Sequence, residues 1–201
     1  MKEFGDNDQL IKVYHNPIGF NEEELKAKEI TEFLSACEDY CKTIENFDRY
    51  KVKDFLYNVQ KTLTRYYLKG FDLPKCPGSN GNTTISDKAT SKDVNLFFEI
   101  QNKLETFIGS HDVYWSNFDP YPEDEDEDED KKTYSHSLSC DLAEIYEDIK
   151  GNLEGYNLGN LCDKQEMLWQ FIFDWQGHTG DHLTFAVRAI HWKLQEMQYE
   201  D

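Results

Sequence analysis

Asp174, His178, Asp181 and His182 are residue types that ligate metals or move protons, and they lie within one short stretch of the chain. On a continuous helix Asp174 and His178 are one turn apart, His178 and His182 another, and Asp181 borders them. All four then share about 100° of arc. Two imidazoles and two carboxylates on one face can hold a divalent transition metal, the nitrogens as borderline ligands and the oxygens as hard ones. One helix supplies only one side of a coordination shell, so a metal centre needs a further ligand; His111 and Glu144 are candidates. Arg188 and His191 follow and complete the candidate cluster. The same residues have a structural reading, which the pattern favours and which leaves the protein without a cofactor. Histidines beside an apolar stripe hydrogen-bond to neighbouring helices, Asp181 after Gly180 can cap a helix, and Asp–Arg pairs at helical spacing need no function.

Other candidates are weaker. Cys37 and Cys41 share a helix face, but that face is apolar, where free cysteine behaves as a small hydrophobe. The run from Glu123 to Asp130 (EDEDEDED) lacks the turn glycine of a calcium loop and reads as a solvated, self-repelling loop. The chain has no GxxxxGK[ST], GxGxxG, HExxH or GxSxG, no CxxC pair, and no Glu-x-x-His of the di-iron bundles.

The elements that position these residues are helical. Apolar residues from Leu25 to Phe47 recur three or four apart, with Asn21 as cap and Glu22 to Glu24 in the first turn, where the macrodipole favours acids. The pattern resumes from Val52 to Tyr67 and stops at Gly70, which predicts an antiparallel helix pair. Residues 71–90, rich in Pro, Gly, Ser and Thr, read as a long loop. A third helix runs from about Ser91 to a cap at Gly109, and the aromatic segment HDVYWSNFDPYP packs its rings on the bundle. After the acidic loop near 120–133, Ser139 caps a fourth helix whose apolar face runs from Leu142 to Tyr156, ending at Gly155 and Gly159. Asp163 with Glu166 opens the last helical region, one kinked helix or two, with an apolar stripe from Leu168 to Met197. No period-two stretch of note and no internal repeat is visible. The reading is all-α: an irregular bundle of five or six helices in one domain over 1–201, with 1–20 as a loose N-terminal segment.

Charge sets the partner class. The 201 residues hold 40 Asp and Glu against 21 Lys and Arg, a net −19; setting aside the eight acids of the run still leaves −11. That field repels phosphate backbones and anionic membrane surfaces, so nucleic acid and membrane are excluded as partners. A basic protein is the complementary one, approached in the manner of a nucleic-acid mimic. The first residues carry acids and no apolar core, unlike a secretory signal, and no apolar run is long enough to span a membrane. Five scattered cysteines in a chain this size suit a reducing, cytoplasmic compartment.

Three segments carry a family resemblance: His178-Thr179-Gly180-Asp181-His182 with Arg188-Ala189-Ile190-His191, then Tyr114 to Pro120 (YWSNFDP), then Leu138 to Ile149 (LSCDLAEIYEDI). Together they resemble a bacterial helical family, domain of unknown function 5063, although Thr179 stands where that family's pattern has tryptophan. The resemblance implies a helical intracellular bacterial domain and brings no activity, cofactor or partner. The expectation from the residues is a non-enzymatic acidic interaction or regulatory protein that binds a basic partner. The alternative is a metal-dependent helical-bundle enzyme using the His178/His182 cluster.

Overall fold

The computed structural model describes residues 20–75, 94–117 and 133–198. Six helices dominate the described residues: α1 (Lys28–Glu45), α2 (Val52–Asp72), α3 (Val94–Ile108), α4 (Leu138–Leu158), α5 (Leu161–Gln176) and α6 (His178–Glu196). Their fold is the all-α bundle that the periodicity predicts. Asn21 does cap, but it caps a 3-10 turn at Glu24–Lys26: its Oδ1 accepts from the amides of Glu23 and Glu24, and Glu24 accepts in return from the Asn21 amide. Helix α1 starts beyond that turn.

One apolar core draws on all six helices. Phe33 and Tyr66 bring α1 against α2 with ring centroids 5.2 Å apart, and Phe171 of α5 meets Phe33 edge-on at 5.4 Å. Phe107 of α3 meets Phe55 at 5.4 Å and Phe47 at 5.2 Å. Burial of each such side chain contributes ~1.5–3 kcal/mol, and truncating Phe33 to alanine would cost about 3–5 kcal/mol. Helix α4 is central, packed by α1, α3, α5 and α6. It is consequently buried on most of its circumference, with Asp141, Glu147 and Asp148 among its buried residues. A second cluster joins Phe20, Leu25 and Ile30 to Tyr156, Met167 and Leu168. Gln165 Nε2 donates to the Phe20 carbonyl at 2.6 Å, while residues 1–19 of the expected loose segment lie outside the described residues.

The structure departs from the sequence reading in several places. The aromatic segment contains a strand, β1 (Val113–Asn117), paired antiparallel with β2 (Thr133–Ser137), Val113 opposite Ser137 and Asn117 opposite Thr133. Five residues are too few for alternation to stand out, yet Tyr114 and Ser116 do turn inward while Val113 and Trp115 are exposed. Ser137 caps α4, accepting from the Cys140 amide at 3.2 Å. Ser139 is instead bonded through its amide to Asp112 Oδ1 at 2.6 Å, which ties the end of α3 to the start of α4. Asn160 and Asp163, not Asp163 and Glu166, form the capping box of α5. Helix α2 runs past Gly70 to Asp72, so the expected 71–90 loop begins later; residues 76–93 lie outside the described residues, as do 118–132 with the acidic run. Gly109, at φ 60°, ends α3 as predicted.

The last helical region is two helices, broken at Gly177, which caps α5 and precedes α6. Gly180 is required by close approach: a Cβ there would lie 2.3 Å from the Trp175 carbonyl oxygen at the end of α5.

Candidate functional site

Acids at positions 141, 144 and 148 fall three and four residues apart, which places them on one face of α4. His178 and His182 stand one turn apart on α6, their rings edge to face with centroids 4.7 Å apart. The two faces meet. His182 Nδ1 lies 2.8 Å from Asp141 Oδ1, and His178 Nδ1 lies 2.8 Å from Asp148 Oδ2. Tyr114 of β1 donates its hydroxyl to Asp141 Oδ2 at 2.5 Å, and Thr179 donates to Asp148 Oδ2 at 2.8 Å. Glu144 sits between the pairs, Oε2 3.8 Å from His178 Nε2. His136 of β2 stacks between Tyr114 and Phe185, with centroids at 5.2 and 5.4 Å, and supports the tyrosine.

Burial grades the centre from floor to rim. The Asp141 and Asp148 side chains are each 5% exposed, Glu144 25%, His182 28% and His178 42%. A buried ionised carboxylate needs a donor, so the acid partners place each ring's proton on Nδ1 and leave Nε2 on the outer side. Burial works to lower the His182 pKa, but the hydrogen bond it donates to Asp141 and the charges of Asp141, Glu144 and Asp148 outweigh it, so the ring holds its proton above the usual range. Burial first, and then the Asp141 charge, push the Tyr114 phenol far up, so it serves as a donor.

Of the six candidate residues, only His178 and His182 belong to this centre. Asp174 lies on the other side of the Gly177 break, accepting from Asn152 Nδ2 at 2.9 Å and Gln170 Nε2 at 2.7 Å. Asp181 is exposed on the first turn of α6. Arg188 lines a groove between β1 and α6, and His191 is exposed beside the Trp192 ring at 6.0 Å. The four-residue ligand set drawn on one continuous helix is therefore not assembled, because the helix is not continuous. Among the described residues, no group of three or more His, Cys, Asp or Glu side chains is placed to hold a metal ion. Of the two outside candidates, Glu144 joins the histidines and His111 ends the short turn after α3.

Asp141, Asp148, Tyr114 and Thr179 escaped the sequence reading. The available signal was a set of acids interleaved with Leu142, Ile145 and Ile149, since carboxylates beside the apolar stripe of a core helix need partners. Cys37 and Cys41 are buried at 0% and 4%, and burial pushes the Cys41 thiol up to about 12, consistent with core packing.

The three segments that carry the family resemblance supply this centre: Tyr114 from YWSNFDP, Asp141, Glu144 and Asp148 from LSCDLAEIYEDI, and His178, Thr179 and His182 from the segment that opens α6. No curated protein matches the chain. Among solved structures, protein BF1032 from Bacteroides fragilis, a structural genomics target, is similar in fold: TM-score 0.66 at 22% identity, covering 83% of this chain and 92% of that one. No helix among the described residues is long and apolar enough to cross a membrane. The profile of the family described as domain of unknown function (DUF5063) matches residues 24–195, and the chain belongs to that family.

Proposed function

We propose that the protein is an acidic interaction module for a basic partner, and that the rim formed by Glu144, His178 and His182 receives a cationic side chain. One observation carries this reading. Asp141 and Glu144 are opposed by a phenol and two imidazoles, none of them a permanent cation. Two acids held against the bundle without fixed positive charge make the centre seek a cation, and the overall charge of −19 steers a basic surface toward it. The test is binding of a fluorescent decalysine peptide across a salt series. Affinity should fall steeply with salt, because exposed charges are screened within about 8 Å at physiological ionic strength. Glu144→Gln should weaken binding about threefold, as for the loss of ~0.7 kcal/mol at an exposed rim pair. Salt-independent binding, or no effect of Glu144→Gln, would overturn the reading.

A second reading has its own support. Both rings give Nδ1 to a buried carboxylate, the arrangement that orients histidines for metal ligation through Nε2. Here the cation is a divalent transition metal taken from solution by His178, His182 and Glu144, with side chains moving to converge. Elemental analysis decides it: about one equivalent of Zn, Fe or Mn in the purified protein, lost in His182→Ala, would replace the first reading with this one.

A further inference from the structure

The wall of α6 that faces β1 carries a second site unlike the first in charge and composition. A groove of about 310 Å³ runs between the two elements, with Trp115 on the strand side and Phe185, Arg188 and Trp192 on the helix side. Its floor is small, Ser116 at 5% exposure and Ala189 at 7%. Its two indoles are displayed, Trp115 67% and Trp192 62% exposed. Large aromatics on opposite walls of a concave feature mark a binding site more often than ordinary surface does.

The charge at the groove is the reverse of the molecule's. Lys193 is tied to Glu196 at 3.2 Å. Arg188 is exposed and makes no hydrogen bond or ion pair with a described residue, in a chain with nearly two acids for every base. Arg188 and Trp192 are one helical turn apart on α6, and both line the groove. A planar fork of donors next to aromatic walls matches a ligand that is flat, aromatic and singly anionic: the ring between the indoles, the carboxylate on Arg188. We propose that this groove, which borders the His178/His182 centre through Tyr114, binds a small planar aromatic carboxylate.

The probe is 1-naphthoate, with neutral 1-naphthamide as control, titrated into the 15N-labelled full chain. The indole N–H signals are assigned with Trp115→Phe and Trp192→Phe. The acid should move the Trp115 and Trp192 signals and leave those of Trp169 and Trp175 in place, saturating with Kd on the order of 1 mM for a ligand of this size. The amide should bind about fivefold more weakly. Arg188→Gln should weaken the acid about fivefold and leave the amide unchanged; its exposed, unpartnered position leaves the fold intact, which circular dichroism verifies. Equal binding of acid and amide, an unchanged Kd in Arg188→Gln, movement of all four indoles, or no saturation would each overturn the proposal.

Discussion

His182 Nδ1 lies 2.8 Å from the Asp141 carboxylate across 41 residues of sequence, and that carboxylate is 5% exposed. Folding therefore raises the affinity of the ring for its proton, burial being outweighed by Asp141 and its acidic neighbours. The stabilisation from the charged ring is complete below the unfolded value of about 6.5 and is lost as pH rises through the higher folded value. Melting temperature at constant ionic strength should be higher at about pH 6 than at about pH 8.5, and His182→Gln should reduce that difference.

Removing the ring altogether leaves Asp141 buried with Tyr114 as its remaining donor. His182→Ala should lower stability by about 1–3 kcal/mol in urea unfolding, the range for orphaning a buried polar group. Asp141→Asn, which keeps the shape, should lower it less.

The buried thiols should be inert in the native state. Cys41, pushed up to about 12, and Cys37, pushed well up by burial, should resist iodoacetamide while exposed Cys162 reacts first. Cys37→Ala and Cys41→Ala should each cost on the order of 1 kcal/mol, as small core truncations do.

Gly180→Ala probes the break between α5 and α6. A methyl group 2.3 Å from the Trp175 carbonyl oxygen forces the two helix ends apart, so a loss of about 1–3 kcal/mol is expected, as in other overpacked sites. Gly151→Ala, where a Cβ meets nothing within 4 Å, should be neutral or stabilising by comparison in the same melt.

Much of this architecture is readable from period alone. Leu25 to Phe47 and Val52 to Tyr67 repeat at 3.6 residues, and the helices α1 and α2 follow. The hairpin was not readable, because two strands of five residues, the second mostly Ser and Thr, give no window in which alternation can be counted. His178 and His182 stood out as types. Their partners did not, since Asp141 and Asp148 reach them only through tertiary packing across 41 and 30 residues. Asp174 bonds Asn152 and Gln170 and not the histidines for a local reason: Gly177 interrupts the helix between it and His178, and phase counted through a break has no meaning.

The pairing of Asn117 with Thr133 has a mechanical consequence. Asn117 and Thr133 are directly opposed in the sheet, about 5 Å apart, so the sheet has already brought together the two points that 118–132 must join. Lengthening the span adds only ~0.6 kcal/mol of chain entropy for each doubling. The hairpin thus works as a clasp. A peptide inserted between Asn117 and Thr133 should therefore shift the melting temperature little, because both of its ends stay anchored at that pair whatever its length.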